Sequence, residues 1–172
     1  MIKEQLNSEV YSYMSSDDKH LIVEFTAAMN TLGHQFDKKN GDGFCYGRHM
    51  MIIRKANVKS DKIYARLYFR TSGVVVRFFL NDVSKHSNYI EASPSYIQES
   101  FTGSYATCNN CRSTICKFRK AYTIARIGYE KCNGLTFAYF APTLDQLPSY
   151  MNLFLEFYPN KDKKVNITNK PQ

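Results

Sequence analysis

The period of the apolar positions changes along the chain, and each change predicts an element. Leu21, Phe25, Ala28, Met29 and Leu32 recur at helical spacing. Ser15, Ser16, Asp17 and Asp18 precede this run as capping residues and Gly33 follows it, so a helix is expected there. A shorter helical turn is expected from Ser8 to Met14. From His34 to Gly43 the chain is polar and Gly-rich and reads as a loop. Phe44 to Lys55 then reads as a strand with Phe44, Tyr46, Met50 and Ile52 on one side. The clearest alternation follows, with Ile63, Ala65, Leu67 and Phe69 against Tyr64, Arg66, Tyr68 and Arg70. Thr71-Ser72-Gly73 turns the chain into a second strand, with Val74, Val76, Phe78 and Leu80 inward and Val75, Arg77 and Phe79 on the reverse. The two strands predict an antiparallel hairpin. Its outer face would gather three guanidiniums and three aromatic rings.

Beyond Asn81 the pattern dissolves until Ser93-Pro94, which opens a short helix through Tyr96, Ile97 and Phe101 to Gly103. Phe118 to Ile124 and Gly128 to Cys132 read as short strands joined around Arg126-Ile127, and Leu135 to Phe140 as another. Thr143 with Gln146 forms a capping box for a last helix carrying Leu147, Met151, Phe154, Leu155 and Tyr158, and Pro159 ends it. Pro148 would remove a hydrogen bond inside that helix and moves its start toward Leu147. The expected fold class is α+β: a mostly antiparallel sheet with helices on one face and a small four-cysteine zinc-binding hairpin module. Residues 1–159 are read as one domain, with the module at about 104–134, and residues 160–172 as a flexible basic tail.

Composition agrees with a packed domain, because 44% of residues are hydrophobic and 15% aromatic. The rings are 13 Tyr and 12 Phe with no Trp, so many carry a polar tip suited to stacking surfaces. The N-terminus lacks an apolar signal region and no apolar run reaches membrane-spanning length, so a cytoplasmic protein without a membrane partner is expected. The net charge of +8 is unevenly placed. Residues 1–108 hold 13 basic and 11 acidic side chains, whereas 109–131 hold Arg112, Lys117, Arg119, Lys120, Arg126 and Lys131 against Glu130 alone. A localised basic patch attracts an anionic partner better than the same charge diluted over a surface, although such residues also simply solvate a small module.

Four of the five cysteines lie within or immediately flank this basic stretch, as Cys108, Cys111, Cys116 and Cys132. A Cys-x2-Cys pair bites one metal ion from a tight turn, and the third and fourth sulfurs close a tetrahedron. Structural Zn2+ is the expected cofactor, with a redox pair, unligated thiols and an iron–sulfur cluster as alternatives. Four protein ligands leave no open position, and no catalytic residue is assigned, so the chain is not expected to be an enzyme. The base-deaminase cysteine pattern and its glutamate are absent from the sequence. Cys45 and His49 would lie roughly 13 Å apart on an extended strand, at about 3.3 Å per residue, and share an ion only if Gly47 supplies a bulge.

The hairpin face of Tyr64, Arg66, Tyr68, Arg70, Arg77 and Phe79 is the second constellation. Rings interleaved with Arg stack bases and neutralise phosphates, and the same chemistry suits a small anionic aromatic ligand. The structural alternative is Tyr and Arg stacking on one another across strands. The expected function is therefore recognition of nucleic acid or another acidic partner, with Arg112, Lys117, Arg119 and Lys120 supplying charge. The alternatives are a small-molecule-sensing domain with an aromatic-lined pocket and a protein-interaction or inhibitor module.

The stretch from Arg66 to Leu80, Cys-x2-Cys-x4-Cys-Lys-Phe-Arg-Lys-x-Tyr-Thr-Ile, Glu-Lys-Cys-Asn-Gly and Leu-Pro-x-Tyr-x-x-Leu-Phe-x-Glu-Phe-Tyr-Pro together resemble a group of uncharacterised small bacterial four-cysteine zinc-binding proteins. More distantly, the helix, strand, hairpin and helix layout resembles YjbR-like compact α+β domains, which implies DNA binding. That layout has no cysteine module, so the analogy stops at residues 104–134 and carries over no catalytic residue.

Overall fold

The computed structural model describes residues 2–37, 40–43, 46–103, 119–132 and 136–159. A short helix α1 (Ile2–Leu6) and a 3-10 turn (Glu9–Tyr11) lead into α2 (Ser16–Thr31). Ser15 caps α2, its hydroxyl accepting from the Asp18 amide at 3.0 Å. Gly33, at φ +75, takes the left-handed conformation that ends the helix. Asp18 in turn accepts from the Val74 amide, so the helix start is tied to the turn between the two central strands.

The main sheet contains β1 (His34–Phe36), β2 (Gly41–Asp42), β3 (His49–Lys55), β4 (Ala65–Phe69), β5 (Val75–Phe79) and β8 (Thr136–Phe140). Its order is β1-β3-β4-β5-β8, with β2 also on β3, and every pairing is antiparallel. A separate ribbon pairs β6 (Arg119–Ile124) with β7 (Ile127–Cys132). Between β5 and the ribbon lie a 3-10 turn (Val83–His86), α3 (Ser87–Ala92) and α4 (Ser95–Thr102). After β8, Thr143 and Gln146 form the expected capping box around a 3-10 turn, and α5 (Leu147–Phe157) carries Pro148 in its first turn.

One face of the sheet holds the core. Met51, Ile53, Leu67, Phe69, Val76, Phe78 and Phe137 pack with apolar residues from each of the five described α-helices. Phe78 meets Phe25 of α2 and Phe154 of α5, and Phe137 meets Phe101 of α4 at 4.3 Å. Each such ring contributes about 1.5–3 kcal/mol by burial. The α+β class and the antiparallel sheet thus follow from the apolar pattern.

Several expectations need correction. The strand expected from Phe44 begins at His49; Phe44 and Cys45 lie outside the described residues, and Tyr46 sits in the preceding loop. The hairpin strand expected from Ile63 begins at Ala65. The segment after Asn81, expected to be patternless, contains α3, which is too short to display a period because only Ile90 of it is buried. The reverse face of the sheet is not a solvated surface: Met50, Tyr68, Val75 and Ala138 form a second buried cluster with Tyr46 and Ile52 against it.

Candidate recognition face and cysteine module

Arg66 and Arg77 stand directly opposite each other on β4 and β5. Arg77 is only 7% exposed and donates from Nη2 to the Thr136 hydroxyl at 2.8 Å, while Arg66 is half-buried. Their guanidiniums stack on different rings, Arg66 on Phe79 at 5.2 Å and Arg77 on Tyr46 at 4.7 Å. Tyr46 also meets Tyr68, whose hydroxyl lies 3.5 Å from Nη1 of Arg66. The Nε atoms of both arginines are buried without a hydrogen-bond partner. Among the described residues no carboxylate pairs with either guanidinium. Stacking occupies the guanidinium faces, and the edges are the part suited to an oxyanion.

The other residues expected on this face are placed differently. Tyr68 is 2% exposed and so offers no open stacking platform. Tyr64 lies just before β4; its amide donates to Ile53 and its carbonyl accepts from Phe79, while its ring packs against His34 and Tyr158. It therefore joins the α5 side of the molecule. Arg70 lies one residue beyond β4 and is half-buried.

The β6–β7 ribbon is docked on the domain rather than projecting from it. Tyr122 and Ile124 enter the core, and the Tyr122 hydroxyl donates to the Phe101 carbonyl at 2.6 Å. Its amides at Thr123 and Ala125 donate to the hydroxyls of Ser84 and Ser87, and Ala125 also donates to the Glu91 carboxylate. These contacts hold a two-residue turn in which Ala125 and Arg126 both have positive φ, at 50° and 65°. Such a turn ordinarily takes Asn and Gly, so docking compensates a strained sequence. Lys120, Ala121, Thr123, Arg126 and Glu130 remain exposed.

At the ribbon's other end Arg119 pairs with Cys132. Cys108, Cys111, Cys116, Arg112 and Lys117 lie outside the described residues, and among the described residues no cluster of three or more His, Cys, Asp or Glu forms a metal site. The donor chemistry of four thiolates fits zinc, and the ribbon register sets the Cys132 backbone where the chain enters from the other three. Lys131 beside it is 4% exposed; it donates to the Ser100 carbonyl and lies over Phe137. Burial, with a smaller contribution from the Arg77 charge, pulls its ammonium down to about 7. Lys131 therefore adds less to the exposed basic surface than the sequence count suggests.

His49 binds the Tyr13 hydroxyl through Nδ1 at 2.8 Å and packs beside Tyr11, and Arg48 covers the Tyr13 ring. The imidazole thus has a structural partner. A cavity of about 280 Å³ lies between α4, β8 and α5, lined by Tyr96, Glu99, Ser100, Tyr139, Gln146 and Tyr150 among others. Tyr139 is buried, and its hydroxyl makes no hydrogen bond of ordinary geometry. Burial pushes this phenol well above its usual range, with the nearby Ser100 hydroxyl a smaller opposing influence.

No family model matches the chain, and neither curated proteins nor solved structures provide a match. Among the described residues no helix is long and apolar enough to cross a membrane. Sequence reasoning missed the role of Tyr46 as a lid on Arg77 and the docking of the ribbon through Ser84, Ser87 and Glu91. The Arg66–Arg77 pairing had a signal, because a short turn centred on Thr71-Ser72 sets those two positions opposite each other.

Proposed function

We propose that the protein is a non-enzymatic, zinc-stabilised recognition domain for a polyanionic partner, with nucleic acid the best-suited class. The observation that carries this reading is the anchored ribbon, which exposes Lys120 and Arg126 and closes at Arg119 and Cys132 beside the basic cysteine stretch. Zinc held by Cys108, Cys111, Cys116 and Cys132 would fix Arg112, Lys117, Arg119 and Lys120 as one charged group. Preorganised cations bind phosphates without an ordering cost at the moment of contact. The buried Tyr68 and Arg77 argue against base stacking across the sheet, so the ribbon and module supply the contact. The test is fluorescence anisotropy with a labelled single-stranded oligonucleotide. Changing Lys117, Arg119 and Lys120 to Glu should abolish binding while the fold is kept, and unaltered binding would overturn the proposal.

A second reading, a small-molecule-sensing domain, is favoured by the aromatic-lined cavity beside Tyr139. Its volume of about 280 Å³ falls just below the range of ligand sites, which run from about 300 Å³ upward. A thermal-shift screen with small aromatic compounds separates the two readings: stabilisation lost in Tyr139→Phe supports the cavity, and no responding compound counts against it.

A further inference from the structure

The Arg66–Arg77 pair is difficult to explain as packing alone. Like charges directly opposite on an antiparallel pair destabilise it. A buried donor without a partner costs more again, and here both Nε atoms are in that state. Elsewhere among the described residues Arg54 and Lys85 each meet a carboxylate, on Asp37 and Asp82. No described carboxylate pairs with Arg66 or Arg77, although they are the two guanidiniums of the sheet interior. The guanidinium carbons lie over the rings of Phe79 and Tyr46 and both Nε atoms are buried, which leaves the Nη edges for a planar or tetrahedral oxyanion. The Tyr68 hydroxyl and the Thr136 hydroxyl flank these edges through their contacts with Arg66 and Arg77. Arg66 retains partial exposure, so the pair is reachable from its side.

We propose that Arg66 and Arg77 together bind one oxyanion, a phosphate or carboxylate group, as a discrete subsite on the reverse face of the sheet. This deepens the polyanion reading by naming the group recognised, and it needs neither the metal nor the cysteine module. A terminal phosphate of a nucleic acid and the anionic group of a small metabolite share this chemistry. The guanidinium fork, rather than charge alone, sets the affinity.

The test is nitrogen NMR of the arginine Nε–H signals during titration of the full chain with inorganic phosphate, benzoate, a nucleoside monophosphate and a 5′-phosphorylated oligonucleotide. The Arg66 and Arg77 signals should shift saturably with phosphate. Arg66→Lys, which keeps the charge and loses the fork, should weaken binding about tenfold or more, as expected for a charge-assisted bidentate contact. Lys117→Glu should leave phosphate binding intact. A tighter response to the nucleotide or phosphorylated strand identifies a nucleic-acid source, and a tighter response to benzoate identifies a small aromatic acid. Unmoved Nε signals with all four probes, or full affinity in Arg66→Lys, would overturn the subsite. Oligonucleotide binding that persists while these signals stay still removes the subsite and leaves the module reading standing. A subsite that binds phosphate in a chain with no oligonucleotide affinity does the reverse.

Discussion

Replacing Arg66 with Met should stabilise the ligand-free protein, an unusual expectation for loss of a partly buried, well-stacked side chain. The substitution removes a cross-strand like-charge pair, a gain of about 0.2–1 kcal/mol. It also removes an unpartnered buried donor, a gain of about 1–3 kcal/mol. Against this stands the guanidinium stacked on Phe79 at 5.2 Å, worth about 0.5–1 kcal/mol at a partly exposed position. The contact with the Tyr68 hydroxyl is at the limit of hydrogen bonding and contributes little. Met retains most of the apolar stem, so packing changes least of all. The net is a stabilisation of about 2 kcal/mol, or a Tm rise of about 4–8 °C for a chain of this size. Urea unfolding in buffer free of phosphate and sulfate measures it as a higher midpoint at constant slope. Added phosphate should raise the stability of the native sequence by ligand linkage and leave the Met variant unchanged, closing the gap. A variant more than about 1 kcal/mol less stable in anion-free buffer would refute the reasoning, because the guanidinium would then be compensated within the fold.

The remaining predictions concern the ribbon, the metal and one buried imidazole. Tyr122→Phe removes the 2.6 Å bond to the Phe101 carbonyl and should destabilise the chain by about 1–3 kcal/mol in urea unfolding; a neutral result would mean that the ribbon is not anchored there. Metal analysis should return one zinc per chain with four sulfur ligands, and a strong chelator should speed amide exchange in β6–β7 before it affects β3–β5. Fewer than four sulfurs would reopen the assignment. His34 is 6% exposed, with Nδ1 on the Leu32 carbonyl and Nε2 without a partner, and burial lowers its pKa below the ordinary value. The folded state therefore disfavours the charged ring, and its contribution to stability is present above about pH 6.5 and lost as pH falls through the lower folded-state value. Comparing urea midpoints at neutral and acidic pH for the native chain and His34→Phe isolates the effect; equal acid sensitivity in both would contradict it.

Helix α2, strands β4 and β5 and the capped start of α5 were legible because each has enough residues to show its period. Val74, Val76, Phe78 and Leu80 are all fully buried, as their alternation implies. The reverse face was misread for a physical reason: alternation reports that Arg77 and Tyr68 point away from the helices, but not that Tyr46, from a loop, covers them. Tyr64 escaped for a related one, since it stands where the strand starts and its ring turns to the aromatic cluster around His34 and Tyr158. The ribbon's strands were readable, whereas its docking was not, because backbone amides bound to Ser84, Ser87 and Glu91 leave no apolar signature. Among the candidate site residues, the sequence spacing alone speaks for Cys108, Cys111 and Cys116, and the fold adds the backbone position of Cys132 opposite Arg119.

The most direct test of anionic recognition is the salt dependence of oligonucleotide binding by the zinc-loaded chain. If the ribbon and module engage phosphates, log K should fall linearly with log salt, with a slope of roughly −0.7 for each phosphate neutralised on a single strand. Three to five contacts from Arg112, Lys117, Arg119, Lys120 and Arg66 would give a slope of about −2 to −3.5. Binding that is absent at low salt, or that ignores salt altogether, would contradict the account.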